Sequence, residues 1–358
     1  MEAPFGLNPY ENDPGAASAS MINSAEILLE CLERSRAKSV VEIGAFAGDL
    51  TRMLLLWAER PGARVIAIDP SPQPQLEELE REHEELELIR ETSLAALPHV
   101  EVTDAVIIDG DHNYYTVSEE LQRIEARWRE QGAALPLLVF HDVGWPHARR
   151  DDYFDPQQVP PEYRQPVSPG GGLHPSVRGT VPGGLPYRWP AAEEGGPRNG
   201  VLTAIEDFLS GRDELRLVIL PPFFGVGVLY RRDAAYAQAL DDLLAPWDRH
   251  PLLERLERNR VLHLASSHIQ LTRMVETQGQ LARHQALFEA MLASRVFGAA
   301  ERFLRVRQRG DPAFSKELIR RALAESRAPS DAWSLPGAST AENGGRPEPT
   351  PRPDASAR

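Results

Sequence analysis

The stretch that most clearly indicates the fold class is Val40-Val41-Glu42-Ile43-Gly44-Ala45-Phe46-Ala47-Gly48. Its apolar first half predicts a buried strand, and residues 49–58 that follow it predict a helix. The two glycines allow a tight turn between strand and helix, and they let the backbone approach a ligand closely. A turn that binds no ligand explains these glycines equally well.

Apolar strands alternate with helices through residue 142. Strands are predicted at 64–69, 88–89, 105–109 and 137–142, and helices at 23–36, 73–87 and 115–129. Strands that are apolar throughout are typical of parallel sheets covered by helices on both faces. After a helix at 201–209, the runs 215–220 and 225–230 predict a strand pair that completes the sheet. We therefore predict a doubly wound, Rossmann-like α/β domain with seven strands.

Segments of different composition flank or interrupt this domain, which we place at residues 23–232. Residues 144–199 hold 11 prolines and 9 glycines, which is typical of a lid-like insertion or a disordered loop. The other segments are a flexible N-terminal arm (1–22), a helical extension (233–326) and a disordered tail (327–358). Apolar positions recur through 251–296 in imperfect heptads, and shorter helices are predicted at 298–308 and 312–325. We expect the extension to pack on the domain or to form a homo-oligomer.

Composition excludes several classes of function. The 358 residues carry a formal net charge of −14, so we expect neither nucleic acid nor an anionic membrane surface as a partner. A single cysteine, Cys31, excludes an internal disulfide framework. The first residues lack a basic region followed by an apolar run, and no apolar stretch is long enough to span a bilayer. We expect a cytoplasmic protein.

Polar side chains collect where the predicted strands end, which is where ligands bind in open parallel sheets. Glu42 ends the first strand and Asp69 the second. A carboxylate at the position of Asp69 can accept hydrogen bonds from both hydroxyls of a ribose, or it can cap the next helix.

The densest polar cluster follows the fourth and fifth strands, at Asp109-Gly110-Asp111-His112-Asn113-Tyr114 and at His141-Asp142. Carboxylates and an imidazole at neighbouring strand ends suit a hard divalent cation. In the alternative interpretation, Asp111 caps the following helix and His112 is an exposed turn residue.

The acidic-x-Gly-x-x-x-Gly pattern at 42–48, with an acidic residue ending the second strand, resembles the motifs of class I S-adenosylmethionine-dependent methyltransferases. The resemblance covers about residues 23–232, and the seven strands with a final reversed pair agree with it. It implies that the glycines lie against the methionine part of S-adenosylmethionine, that Asp69 holds the ribose and that Ser93 lies near the adenine. The implied cofactor-binding residues are Glu42, Gly44, Gly48, Asp69, Ser93 and Asp109.

The string Ile-Asp-Gly-Asp-His-x-Tyr at 108–114, with Phe-His-Asp at 140–142, is similar to a metal-dependent subset of that family. The subset includes the macrocin and mycinamicin sugar O-methyltransferases and the cephalosporin-hydroxylase-like proteins. The resemblance implies a divalent metal on Asp109, His141 and Asp142, and His112 as the catalytic general base. His141 stands where several relatives have an acidic residue, and imidazole suits manganese better than magnesium.

Together these features predict an O-methyltransferase of natural product biosynthesis. It would transfer a methyl group from S-adenosylmethionine to a hydroxyl of a small organic acceptor, such as a sugar or a glycosylated natural product. The alternative is a non-catalytic or oxygenase-assisting protein of the same fold that works through its helical C-terminus.

Overall fold

A computed structural model describes residues 20–308 and 315–327 of the chain. The chain divides into two compact units, Met1–Met274 and Val275–Arg358. The predicted arm over residues 1–19 and the predicted tail over 328–358 lie outside the described residues. None of the described helices combines the length and the hydropathy that a membrane-spanning helix needs.

The first unit is built on a seven-stranded sheet. Its strands are β1 (Ser39–Ile43), β2 (Arg64–Ile68), β3 (Leu86–Ile89), β4 (Ala105–Ile108), β5 (Leu137–Phe140), β8 (Leu215–Leu220) and β9 (Val226–Arg231). They lie in the order β3-β2-β1-β4-β5-β9-β8. The first five pair in parallel, whereas β9 is antiparallel to both β5 and β8. The predicted seven-stranded, doubly wound sheet is therefore confirmed.

Helices cover both faces of the sheet. Successive residues of each central strand point to opposite faces, and both faces are therefore buried. The helices of this unit are α1 (Ala25–Ser35), α2 (Asp49–Ala58), α3 (Pro74–Glu82), α4 (Ser93–Ala96), α5 (Tyr114–Glu130), α6 (Val201–Leu209) and α7 (Ala237–Leu244). Val40 of β1 joins the core formed with α1, α2 and α7, whereas its neighbour Val41 joins the core formed with α5 and α6.

The domain begins earlier than the sequence predicts. Met21 and Ile22, which the sequence predicts to lie in a flexible arm, form part of a short 3-10 helix (Met21–Ser24) and are fully buried against α1 and α2. The helix predicted at 73–87 ends at Glu82, because the chain becomes extended at His83 and enters β3 at Leu86. Helix α4 is a single turn, too short to give a periodic pattern.

The insertion at 144–199 is mostly irregular chain, with two short strands, β6 (Gly172–Leu173) and β7 (Leu185–Pro186). One buried carboxylate ties it to the domain. Asp151 accepts hydrogen bonds from the backbone N–H of Tyr114 (2.8 Å), the backbone N–H of Gly200 (2.7 Å) and the hydroxyl of Tyr153 (2.8 Å). Both ends of the insertion are therefore fixed to the first turns of α5 and α6, while its role as a lid stays a prediction.

The glycines in the turn after β1 lie so close to neighbouring parts of the chain that they leave little room for a side chain. Gly44 has φ +86°, and a Cβ there would lie 2.1 Å from the backbone oxygen of Asp109. Gly48 has φ +83°, and a Cβ there would lie 2.7 Å from the side chain of Leu79. Glycine is thus required at position 44, and the positive φ favours it at position 48, before any ligand is considered.

Long helices form the C-terminal part. They are α8 (Pro251–Ala293), which runs from the first unit into the second, α9 (Arg295–Gln308) and α10 (Lys316–Arg327). In the second unit, Lys316 donates hydrogen bonds to the carbonyls of Leu292 (2.6 Å) and Ser294 (3.2 Å). Ile319 and Leu323 of α10 are buried. Oligomerisation through these helices stays a prediction.

We predict that Asp151→Ala lowers the free energy of unfolding by about 3 kcal/mol. It leaves three donors without an acceptor, and each unpaired buried donor costs roughly 1–3 kcal/mol. Urea denaturation followed by tryptophan fluorescence measures the change. Glu162→Ala, at an exposed position of the same insertion, is the control and should change stability by less than about 0.5 kcal/mol. Equal effects of the two substitutions would show that Asp151 does not tie down the insertion.

We also predict that Gly44→Ala destabilises the protein by roughly 2–5 kcal/mol. It combines the cost of a left-handed backbone at an L-residue with a collision against the Asp109 carbonyl. Gly62→Ala separates the two causes, because Gly62 also has a positive φ (+79°) but has open space where the Cβ would lie. We expect it to cost only about 1–2 kcal/mol in the same denaturation experiment. Similar losses for both variants would exclude the collision as a cause.

Candidate active site

A cavity of about 780 Å³ opens at the carboxyl ends of β1, β2 and β4, where the strand order reverses. Volumes of this size are typical of small-molecule sites. The lining comes from the segments around the strand ends (42–50, 68–73, 92–94 and 109–116), from Ser20, and from Phe154, Gln158 and Val159 of the insertion. A second cavity of about 500 Å³ lies beside Asp104 and Trp128, at the amino ends of β4 and β5.

Five of the six predicted cofactor-binding residues line the larger cavity: Glu42, Gly44, Asp69, Ser93 and Asp109. Gly48 is absent from the described lining. Its α-carbon faces Leu79 and Leu76, so it shapes the start of α2.

The carboxylate of Asp69 holds two loops together. It accepts hydrogen bonds from the backbone N–H of Phe46 (2.8 Å) in the glycine turn and from that of Ser71 (2.7 Å) after β2. It does not cap α3, whose N-cap residue is Gln73. Each carboxylate oxygen can accept a further hydrogen bond, so Asp69 is able to bind ribose hydroxyls while it orders the turn.

Glu42 is buried at the end of β1 and accepts a hydrogen bond from the hydroxyl of Thr51 (2.6 Å). Burial raises the pKa of its carboxyl to about 8. At neutral pH Glu42 is therefore mainly protonated, and it can donate a hydrogen bond toward the cavity that it lines.

Three predicted metal ligands meet where β4 and β5 end. Asp109, His141 and Asp142 each offer one donor atom, and these atoms all lie within 4.8 Å of one another. The Nδ1 atom of His141 lies 3.1 Å from a carboxylate oxygen of Asp109 and 3.2 Å from one of Asp142. Asp142 has a positive φ (+58°), a conformation that aspartate tolerates better than most residues.

Whether these three residues can bind a metal depends on which ring nitrogen of His141 carries the hydrogen. Its Nε2 atom lies 2.9 Å from the carbonyl oxygen of Phe223, which can only accept, so Nε2 carries a hydrogen. In the neutral imidazole, the lone pair on Nδ1 then faces two negatively charged carboxylates, and this repulsion destabilises the arrangement. A proton on Nδ1, or a cation bound between Nδ1 and the carboxylates, removes the repulsion. Burial lowers the pKa of His141, but the Asp142 and Asp109 carboxylates raise it well above its usual value. Two carboxylates and one imidazole lone pair are a donor set that fits a divalent cation.

The predicted base, His112, faces the same carboxylates. Its Nε2 atom lies 3.1 Å from Asp142 and 3.7 Å from Asp109. Burial lowers the pKa of His112, but the two carboxylates raise it to about 9. His112 is therefore protonated at neutral pH when no other cation is near, and positive charge on the carboxylates would oppose this rise.

Asp111 makes different contacts from Asp109 and His112. Its carboxylate accepts hydrogen bonds from the backbone N–H of Phe154 (3.1 Å) and from the hydroxyl of Thr116 (3.0 Å). The N-cap of α5 is Asn113, whose side chain accepts from the Thr116 N–H (2.9 Å), so the interpretation of Asp111 as the cap is wrong. Asp111 instead joins the insertion to the loop that carries His112.

His147 is a site residue to which the sequence gives no role. Its buried ring lies 4.7 Å from the ring of His112 and 5.1 Å from that of Tyr187. Burial lowers the pKa of His147 to about 3, so it is neutral beside the charged His112. The insertion also donates from the backbone N–H of Asp152 to the carbonyl of His112 (3.0 Å). His112 and His147 are 35 positions apart, and no local sequence pattern predicts their contact.

Helix α8 supports the site from behind. Glu257 accepts hydrogen bonds from the backbone N–H groups of Phe223 (3.1 Å) and Phe224 (2.8 Å), both of which have positive φ. This carboxylate holds the β8–β9 turn, whose Phe223 carbonyl fixes His141. Hydrogen bonds therefore connect the start of the helical extension to His141 of the predicted metal cluster.

Comparison with known proteins agrees with this geometry. Residues 41–143 match the family model described as a methyltransferase domain. The matched segment runs from within β1 to just past β5 and includes most of the cavity lining. No curated protein matches the chain in sequence.

Similar solved structures include a methyltransferase of Podospora anserina bound to SAH (16% identity, 62% of this chain and 83% of that chain, TM-score 0.39). Others are a putative caffeoyl-CoA O-methyltransferase of Staphylococcus aureus (13%, 58% and 83%, 0.36) and the O-methyltransferase TomG of Streptomyces achromogenes, involved in tomaymycin synthesis (17%, 57% and 78%, 0.33). At these TM-scores the likenesses add nothing to what the sheet itself shows. Over residues 41–143 the chain is thus similar to a methyltransferase domain, in agreement with the enzyme class that the strand-end motifs predict.

Proposed function

We propose that this protein transfers the methyl group of S-adenosylmethionine to a hydroxyl group of a small organic acceptor. The observation that carries the proposal is one continuous cavity. Its wall includes Gly44 and Asp69 together with Asp109 and His112. A methyl donor bound over the glycine turn and an acceptor hydroxyl beside an imidazole would thus meet in the same space.

The donor is a substrate of the reaction, and its binding follows from the groups on the cavity wall. Asp69 would accept hydrogen bonds from the ribose hydroxyls, and Ser93, buried at the start of α4, would lie near the adenine. The apolar wall at Ile68 and Leu94 suits a flat base.

The proposed chemistry is a direct displacement, in which the acceptor oxygen attacks the methyl carbon and the donor sulfur leaves. The protein must align these three atoms, and alignment supplies much of the rate. His112 would take the hydroxyl proton on Nε2, which requires its neutral form. A divalent metal on Asp109, His141 and Asp142 would polarise the acceptor hydroxyl and lower its pKa.

A sugar or a glycosylated natural product is the acceptor class that we propose. Phe46 (61% exposed) and Phe154 (65% exposed) lie on the cavity wall with Tyr115. Exposed rings beside a cavity offer flat apolar surface to an organic ring, and the insertion that carries Phe154 would cover the acceptor.

Asp69→Asn should weaken S-adenosylmethionine binding by at least tenfold in titration calorimetry. A hydrogen bond to a charged group is worth roughly 1.5–3 kcal/mol. Asp104→Asn is the control, since Asp104 also accepts from backbone N–H groups, those of Lys38 (2.8 Å) and Ser39 (3.1 Å), but beside the other cavity. If both variants bind the cofactor like the wild type, the ribose assignment is wrong. Failure of the wild-type protein to bind would refute the proposed function.

Substitutions should separate the metal site from the base. Asp142→Asn should lower the affinity for Mn²⁺, measured by electron paramagnetic resonance, by at least tenfold. His112→Asn should not lower this affinity, because it removes a positive charge beside the ligands, but it should lower turnover by about two to four orders of magnitude, the usual contribution of a general base. His99→Asn, at an exposed histidine, is the control for both measurements. Full activity of the wild-type protein in excess chelator would remove the metal from the mechanism.

A further inference from the structure

Helix α9 presents an apolar stripe to solvent. Val296, Phe303 and Val306 are 79%, 64% and 82% exposed, and Ala299 is exposed between them. The spacing 296, 299, 303 and 306 places these side chains on one face of a helix. Exposed apolar surface that is continuous along a helix marks an interaction site more often than scattered residues do.

Basic residues border this stripe. Helix α9 contains four arginines, all exposed, and one glutamate, Glu301. At 100° per residue, Arg295 and Arg302 lie on one side of the stripe and Arg307 on the other. Glu301 lies on the far side of the helix, where it pairs with Arg305 (3.2 Å). The stripe therefore faces solvent between cations, in a chain whose net charge is −14.

Within residues 275–308 and 315–327, the part of the second unit that the structure describes, this face stays exposed. Helix α10 is held by its buried Ile319 and Leu323 and by the hydrogen bonds of Lys316 to the end of α8. The exposed leucines of α8 in this unit, Leu281 and Leu287, differ from the stripe because residues of both charge signs flank them. Mixed charges are typical of helices that pair with other helices, whereas α9 offers only positive charge beside its apolar face.

We propose that the face of α9 formed by Val296, Ala299, Phe303 and Val306 binds an anionic lipid surface. A basic amphipathic helix lies in the plane of the interface, with its apolar side chains among the lipid chains and its arginines at the headgroups. Anionic headgroups attract each nearby arginine, and salt screens this attraction. The sequence predicts no membrane partner because the net charge of the chain is negative. The charge of α9 itself is positive, so this prediction does not apply to its surface. The contact would be peripheral and reversible, because the apolar stripe is short.

Co-sedimentation of the full chain with lipid vesicles tests the proposal. The protein should bind phosphatidylcholine vesicles that contain about one third phosphatidylglycerol at least tenfold more tightly than vesicles of phosphatidylcholine alone. High salt should release it, since arginine–headgroup attraction is screened. Equal binding to both vesicle types, or binding to neither, would overturn the proposal.

Two variants and one control locate the contact. Phe303→Asp and the double charge reversal Arg302→Glu/Arg307→Glu should each weaken vesicle binding at least tenfold. Leu287→Asp, at a 57% exposed apolar position of α8 in the same unit, should bind like the wild type. Circular dichroism and S-adenosylmethionine binding should be unchanged in all three, since the replaced side chains are exposed and lie outside the cavity lining.

The competing occupant is a second copy of the chain. Sedimentation equilibrium of the wild type and of Phe303→Asp distinguishes the two. A wild-type dimer that becomes monomeric in the variant, together with no selective vesicle binding, would assign the stripe to a protein interface and overturn the proposal. A variant that loses vesicle binding without any change in subunit number would support it.

Discussion

The carboxylates of Asp109 and Asp142 at the ends of neighbouring parallel strands, the first half-buried and the second buried, are the constraint that organises the site. Two like charges this close are costly away from water unless positive charge compensates them. His141 and His112 supply that charge in the absence of a metal, and burial of Asp142, which alone would raise its pKa, is outweighed by the two imidazoles, which lower it. The surrounding structure orients these groups.

Each part of the fold near the cluster serves this orientation. Gly44 lets β1 end against the backbone of Asp109, and the Phe223 carbonyl fixes the tautomer of His141. Glu257 of α8 holds the turn that carries this carbonyl. From the other side, His147 of the insertion packs on His112. The insertion and the C-terminal helix, which look like appendages in the sequence, therefore complete the site.

The same constraint links the proposed metal to the proposed base. With only protons present, the carboxylates keep His112 charged, and a charged imidazole cannot accept a proton from an acceptor hydroxyl. Positive charge placed between Asp109 and Asp142 compensates the carboxylates and releases His112 to the neutral form. The two roles that the sequence resemblance assigns separately are thus electrostatically dependent on each other.

The sequence predicts the sheet and the strand-end residues well, because both follow from local patterns. Apolar strands separated by helices require a parallel sheet, and a parallel sheet brings Asp69, Asp109 and His141 to one edge. Contacts between distant segments leave no such pattern. The packing of His147 on His112, the Phe223 carbonyl on His141 and the burial of Met21 in a segment rich in small residues all depend on tertiary structure.

The net charge of the chain and the local charge on one helix also lead to different expectations. A net charge of −14 describes the average surface of the chain, and on that average an anionic partner is repelled. Screening limits each charge to a range of about 10 Å at moderate salt, so a partner that approaches α9 responds to the arginines of that helix. Helical periodicity, applied to the charged residues as well as to the apolar ones, reveals this local surface. The total charge therefore limits what the whole protein attracts from a distance, while the order of residues on one helix determines what it can bind on contact.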